Sequence, residues 1–276
     1  MTVEPEIRRL QSMEELTDAS DVVLEVTGYR DIHPAVLRSI VDGGGYAAAA
    51  YEGGRMIGAL YGLLSVHGGA APHLHSEMLA VLPSHRGKGL ARALKLDQRS
   101  FALERSMGLV TWTYDPLRGP NANLNIRRLG GEIAGYAPDM YGSLPGFSGG
   151  WPTDQLLVEW HVASGRVEEA LAGVDEEGRF GISGLAEVTS VVLREDGLED
   201  LAGWTPGVSD PMLLLRVPEN AQEMRSRDMD LVLRWRFGIR EAFQHYLDAG
   251  YRVEWFFPQR TPIRRNVYVL SSAQSR

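Results

Sequence analysis

The residues with the clearest chemical meaning form a short glycine-bearing turn, Arg86-Gly87-Lys88-Gly89-Leu90-Ala91. An apolar stretch at residues 78–81 precedes it and is followed by Pro83, as expected of a buried strand that ends at a turn. Apolar residues at helical spacing come next, at Leu90, Ala93, Leu94 and Phe101. The first N–H groups of a helix have no partner inside it, and glycine lets a backbone approach a ligand closely. This strand–turn–helix order therefore predicts a binding site for an anion such as phosphate.

The spacing of this turn differs from two common phosphate-binding motifs. A Walker loop needs four residues between its glycines and then Gly-Lys-Ser/Thr, which is absent, and Arg92 stands where a dinucleotide fingerprint needs its last Gly or Ala. The chain instead carries the pattern Val-x-Pro-x-x-Arg-Gly-x-Gly-x-Ala, at Val81, Pro83, Arg86, Gly87, Gly89 and Ala91. This pattern closely resembles the acyl-CoA pyrophosphate loop of the GNAT superfamily of N-acetyltransferases. The alternative is a glycine-containing turn ahead of an ordinary helix.

The resemblance implies how an acyl-CoA co-substrate binds. The backbone of residues 79–81 would pair with the amide groups of pantetheine, and the turn would hold the pyrophosphate. Asn121 is the nearest counterpart of the family asparagine that contacts the cofactor arm. Many family members place a tyrosine, which protonates the departing CoA thiolate, where this chain has Ile126. The residues assigned to acyl-CoA are Leu79, Ala80, Val81, Arg86, Gly87, Lys88, Gly89, Leu90, Ala91 and Asn121.

An ammonium group must lose a proton before its nitrogen can attack a thioester, so a general base is expected. It is expected beside the acyl carbon, on the strand that enters the turn. Side chains of a strand repeat with a period of two residues, so His75, Glu77 and Leu79 are predicted to share one face. A glutamate on this strand relays that proton in several GNAT enzymes, so Glu77 is the first candidate and His75 the second. The alternative is that both side chains line the rim of the site without taking part in the reaction. Tyr141, in preference to Tyr136, is the candidate acid.

Composition excludes several other classes of protein. The 276-residue chain has a net charge of −8, which argues against a nucleic-acid-binding protein, and no cysteine, which excludes disulfides and a cysteine nucleophile. The N-terminus lacks the apolar segment of a signal peptide, so a cytoplasmic protein is expected. His73 and His75 with Glu77 supply too few ligands for a metal site, and none is expected. A monomer or homodimer is expected.

The order of elements predicts an α/β fold for residues 1–162. A capping box at Ser12 and Glu15 begins one helix, and Pro34 begins another. A hairpin follows, with its turn at residues 52–55, and then a strand, a helix and a strand. This is the order of a GNAT-like domain, with a mixed central sheet flanked by helices. The glycine-rich and proline-rich residues 142–153 either border the acceptor pocket or form a long hairpin connection.

Residues 163–276 are predicted to form a second α/β domain that resembles a degenerate half-copy of the first. Residues 108–116 align with residues 250–258, and an apolar strand at residues 212–217 precedes a helical apolar stripe. The equivalent of the phosphate turn lacks glycine and carries Glu219 and Glu223, which would repel a phosphate. A domain that does not bind CoA is therefore expected, although a chance match of two such units is the alternative.

The sequence thus predicts an N-acyltransferase that moves an acetyl, succinyl or other acyl group from acyl-CoA directly to a primary amine. The expected acceptor is a small molecule such as an amino acid. A second hypothesis is a non-catalytic acyl-CoA-binding regulatory protein, which the isoleucine at position 126 favours.

Overall fold

The computed structural model describes residues 5–66, 71–142, 151–173, 184–258 and 265–272. They form two compact units. The first unit contains the chain up to Trp112 together with Glu159–Ser164, and the second contains the remainder. The domain boundary between residues 162 and 163 stays a prediction. Most of the predicted acceptor-bordering loop, at residues 143–150, lies outside the described residues.

The first unit is built from the N-terminal helices and strands. Its elements are β1 (Glu6–Arg9), α1 (Met13–Thr27), α2 (Pro34–Asp42), β2 (Tyr46–Glu52), β3 (Arg55–Ser65), β4 (His73–Val81), a 3-10 turn (Pro83–His85), α3 (Leu90–Glu104) and β5 (Leu109–Tyr114). Strands β1 to β4 pair antiparallel in chain order, and β4 pairs parallel with β5. Strand β2 is buried along six of its seven residues, so it forms the centre of the core.

Local sequence signals begin and end these elements as predicted. Ser12 accepts a hydrogen bond from the Glu15 N–H, and the Glu15 carboxylate accepts one from the Ser12 N–H, so the capping box is confirmed. Gly53 and Gly54 have φ of 57° and 81°, the left-handed backbone that a tight hairpin turn between β2 and β3 requires. Helix α3 ends at Glu104, because Ser106 adopts a φ of 55° that a helix cannot continue through.

The second unit contains the remaining elements. These are α4 (Gly119–Ala122), a π-helical turn (Asn123–Arg128), β6 (Glu132–Ala137), β7 (Gln155–His161), α5 (Gly165–Ala172), β8 (Ala186–Glu187), β9 (Thr189–Leu193), β10 (Glu199–Trp204), β11 (Met212–Val217), α6 (Ala221–Arg227), α7 (Met229–Asp248), β12 (Arg252–Phe257) and β13 (Asn266–Ser271). Strand β6 ends at Ala137, because Asp139 has a φ of 44° that breaks the extended backbone.

Three sheets organise the strands. The largest has seven strands in the order β1-β2-β3-β4-β5-β7-β6, and β5 and β7 each contribute residues to both units. The others are β10-β9 and β12-β13-β11-β8. A large mixed sheet with flanking helices and a further α/β unit confirms the predicted fold class. No helix in the described ranges has the length and apolar character to cross a membrane.

The predicted strand–helix–strand succession of the second half is present as β11, α7 and β12. Its sheet differs from that of the first unit, because β13 lies between β11 and β12 and pairs antiparallel with both. Strands β4 and β5, by contrast, are direct neighbours. Strand β13, which comes later in the chain, therefore keeps the parallel strands β11 and β12 from being direct neighbours.

Candidate active site

The turn between β4 and α3 has the backbone geometry of an anion cradle. Gly87 and Gly89 have φ of +77° and +85°, and a Cβ added to either would meet no atom within 4 Å. Gly89 is the N-cap of α3, and the first bond of the helix runs from the Ala93 N–H to the Gly89 carbonyl, at 3.0 Å. The Arg86 Nε donates to the Val81 carbonyl at 3.2 Å. The open space above two glycines and a helix N-terminus fits a pyrophosphate group.

Strands β4 and β5 separate at His75, well before β4 ends at Val81 and leads into this turn. Their parallel pairing covers only Leu74 with Val110 and His75 with Thr111. Strand β4 also contains a bulge, because Ser76 pairs with Gly62 and Met78 with Tyr61, which leaves Glu77 as the extra residue. A Cβ on Gly62 would lie 2.5 Å from the His75 carbonyl oxygen, so only glycine fits opposite the bulge. Beyond His75, therefore, the edge of β4 that faced β5 has no strand partner.

The two residues predicted as general bases lie side by side. His75 Nε2 is 3.7 Å from Glu77 Oε2, and the two side chains are 29% and 40% exposed. His75 Nδ1 is 2.9 Å from Thr111 Oγ1 on β5. Burial, and then the nearby positive charges of His73 and Lys95, lower the pKa of His75 and favour its neutral form. The bulge interrupts the strict alternation from which a shared face with Leu79 was predicted.

Asp31, which no sequence motif marks, adds a second carboxylate near Glu77. Asp31 Oδ2 accepts a 2.6 Å hydrogen bond from the Tyr61 hydroxyl on β3. The pKa of Glu77 is raised, chiefly by burial and then by the charge of Asp31. The pKa of Tyr61 is raised as well, by burial and by its bond to Asp31. Asp31 lies between α1 and α2 in a stretch without a motif, so only the tertiary structure could reveal it.

Replacing Asp31 with asparagine is expected to lower the pKa of Glu77. Burial of Glu77 remains in the variant, whereas the repulsion between the two carboxylates disappears. The pKa can be measured by NMR titration of the side-chain carboxyl carbon, identified by its absence from the spectrum of Glu77→Gln. Asp42→Asn is the control, since Asp42 is exposed and pairs with Arg38. An unchanged or higher pKa of Glu77 in Asp31→Asn would contradict this account.

The other residues predicted from the sequence belong to the second unit. Asn121 is exposed on α4, and its N–H donates to the Arg118 carbonyl at 3.0 Å. Ile126 is fully buried in the π-helical turn. The Tyr141 hydroxyl lies 2.9 Å from Thr113 Oγ1, and the Tyr141 N–H donates to Thr153 Oγ1. Tyr141 thus presents a half-buried phenol, whereas Ile126 has no group that can donate a proton.

Tyr136, the second phenol considered, is already bound in an ionic cluster. Its hydroxyl donates to Asp154 Oδ2 at 2.5 Å, and Arg240 donates to both oxygens of the same carboxylate. Burial and then the charge of Asp154 raise the pKa of Tyr136 well above its usual range. A phenol held in this way is poorly suited to proton transfer, which leaves Tyr141 as the preferred candidate acid.

A strand that leads through an open glycine turn into a helix, beside a neighbouring strand that separates from it, defines the class of acyl-CoA-dependent N-acyltransferases. Residues 10–116 match the model of the acetyltransferase (GNAT) family. The match includes β4, the phosphate turn, α3 and β5. No curated protein sequence matches the chain. In the described part of the chain, no group of three or more His, Asp or Glu residues has the arrangement of a metal site.

Several solved structures share similarity with part of the chain. The ribosomal-protein-S18-alanine N-acetyltransferase of Escherichia coli is 14% identical, with a TM-score of 0.48 over 58% of this chain and 95% of its own. Arabidopsis thaliana Naa50, in complex with the bisubstrate analogue CoA-Ac-MVNAL, is 17% identical, with a TM-score of 0.45 over 57% and 98%. An aminoglycoside acetyltransferase from an uncultured soil sample is 15% identical, with a TM-score of 0.40 over 44% and 84%. Similarity at this level does not identify an acceptor.

Proposed function

We propose that this protein transfers an acyl group from acyl-CoA directly to the primary amine of a small molecule such as an amino acid. The observation that supports the proposal most is the early end of β4–β5 pairing, which leaves residues 76–81 of β4 between the last strand pair and an open glycine turn. An edge of β4 without a strand partner can pair with the amides of pantetheine at residues 79–81. The acyl end would then extend from the turn back toward His75, where the two strands meet.

In this reaction Glu77 acts as the general base and Tyr141 as the general acid. The acceptor ammonium loses one proton to Glu77, directly or through water, and the free amine attacks the thioester carbon. As the carbon–sulfur bond breaks, the thiolate takes a proton from Tyr141. The attacking nitrogen releases its second proton to water, which returns a proton to the Tyr141 phenolate. Transfer is direct because the chain has no cysteine for a covalent relay. His75 is the second candidate base, since its lowered pKa favours the form that accepts a proton.

The charges beside the proposed base favour a cationic acceptor. Glu77 and Asp31 are two carboxylates close enough for the charge of one to raise the pKa of the other. An acceptor that arrives as an ammonium ion is attracted to both, and it then gives up a proton to the carboxylate whose pKa is raised. We also propose a cytoplasmic location, since acyl-CoA is available there.

The proposal can be tested by measuring CoA thiol release with a thiol-reactive dye across a panel of amines. We expect release that depends on one class of small primary amines, together with one CoA bound per chain by calorimetry. A single CoA is expected because the second unit has no glycine turn after β11, where Glu219 and Glu223 lie instead. Two CoA molecules per chain would contradict the proposed role of the second unit, and failure to bind CoA would contradict the proposed function.

A non-catalytic acyl-CoA-binding regulator is the second candidate. The buried Ile126 favours it, because the position at which many family members carry a proton-donating tyrosine is apolar here. Normal acyl-CoA binding without thiol release for any amine in the panel would support this candidate over the enzyme.

A further inference from the structure

A buried lysine lies below the point at which β4 and β5 separate. Lys95, on α3, is 2% exposed. Its Nζ donates to Ser76 Oγ at 2.8 Å and to Gln98 Oε1 at 3.1 Å, and it lies 3.7 Å from the ring centroid of Trp112. Burial lowers the pKa of Lys95 well below its usual range. None of the reactions described above uses this amino group.

The position of this cluster within the sheet is well defined. The last paired residues of β4 and β5 are His75 and Thr111. Ser76 and Trp112 are the next residues of the two strands, and Lys95 contacts both of them. The amino group therefore bridges the two strands at the vertex of the gap between them. An acyl group that extends from the phosphate turn along β4 would end at this vertex.

The vertex contains more hydrogen-bond donors than acceptors. Gln98 is fully buried and its Nε2 has no hydrogen-bond partner, and the same holds for Nε1 of Trp112, which is 6% exposed. Among the described residues, no carboxylate acts on the pKa of Lys95, which burial alone lowers. Buried polar groups are usually hydrogen-bonded. Two unpaired buried N–H donors beside a buried amino group therefore indicate a binding site for oxygen atoms.

We propose that Lys95, Gln98 and Trp112 bind the terminal carboxylate of the acyl group, so that the preferred donor is the CoA thioester of a dicarboxylic acid. This inference rests on the proposed function, because the acyl group reaches the vertex only if acyl-CoA binds along β4. A carboxylate would accept hydrogen bonds from the unpaired Nε2 of Gln98 and Nε1 of Trp112. Its negative charge would also favour the protonated form of Lys95, which could then form an ion pair with it. An acetyl group has no atom that can reach these donors from the thioester, and a longer neutral acyl group would leave them unpaired.

The experiment compares succinyl-CoA with butyryl-CoA, which has the same number of acyl carbons but no carboxylate. Calorimetry gives the affinity of the native protein for each donor, and thiol release with an active amine gives kcat/KM. We expect succinyl-CoA to be preferred by at least about 10-fold, the scale of one charge-assisted interaction. Lys95→Met should abolish this preference, because it replaces the ammonium group with an apolar chain of similar length. Lys95→Arg should retain part of it.

The ratio of the affinities for the two acyl-CoA donors within one variant separates acyl specificity from protein stability. If Lys95 had only a structural role, its replacement would weaken the binding of both donors equally. Arg105→Met is the control, because Arg105 is an exposed cation next to the end of α3 and should keep the native preference. If Lys95→Met does not fold, Gln98→Leu and the donor ranking of the native protein decide the question. If the protein binds CoA but has equal affinity for succinyl-CoA and butyryl-CoA, this inference alone is overturned. If the protein does not bind CoA, the proposed function is overturned as well.

Discussion

Replacing Gly89 with aspartate is expected to reduce the affinity for CoA by at least roughly 100-fold while leaving the protein folded. Gly89 is the N-cap of α3, with a φ of +85° and open space above its Cα. An aspartate side chain would enter the space in which the pyrophosphate is expected. Its carboxylate would also repel the phosphate charges at the helix N-terminus. Isothermal titration calorimetry with CoA measures the loss directly.

Two further variants distinguish the loss of the cradle from backbone strain. Gly54→Asp introduces the same residue at a φ of +81°, also in open space, but in the β2–β3 turn. It should reduce stability to a similar extent and leave CoA affinity near that of the native protein. Gly89→Ala adds a Cβ without a charge and should have an intermediate affinity. Near-normal CoA affinity in a folded Gly89→Asp protein would refute the assignment of this turn.

Replacing Glu77 with glutamine is expected to lower kcat by roughly 100-fold, the usual scale for loss of a general base, with little change in CoA affinity. Glutamine keeps the size of the side chain but cannot accept the proton of the acceptor ammonium. The pKa of Glu77 is raised by burial and by Asp31, so the native pH–rate profile should rise as Glu77 loses its proton. This rise should be absent from the profile of Glu77→Gln. Steady-state kinetics over a range of pH measure both quantities.

Stability provides the control for this prediction. A raised pKa in the folded state means that the contribution of Glu77 to stability falls as the pH rises through that pKa. Glu77→Gln lacks this loss, so at pH 7 it should be at least as stable as the native protein by thermal unfolding. His75→Gln tests the second candidate base in the same assays. If both variants retain the native kcat and pH profile with the true acceptor, neither residue is the base.

The sequence was sufficient for features that depend on neighbouring residues. The capping box of α1, the glycine turn between β2 and β3, and the phosphate turn each follow from a few adjacent residues with a fixed local geometry. An apolar run identified β11 with the bounds observed, residues 212–217. Strand β6 and helix α3, by contrast, each end close to a non-glycine residue with positive φ, Asp139 and Ser106. Such residues carry no distinctive pattern when they are not glycine.

The glycine turn before α3 and the class of reaction could therefore be inferred from the sequence alone, whereas acyl-CoA binding by this turn and the role of Glu77 stay predictions. The surroundings of that base depended on contacts between distant segments. The bulge at Glu77 requires the register of β3 against β4, and the bond from Tyr61 to Asp31 joins residues 30 positions apart. The cluster at Lys95 requires α3, β4 and β5 together. Register and burial arise from packing over the whole sheet, and packing also decides which charges lie close enough to shift a pKa or bind a substrate.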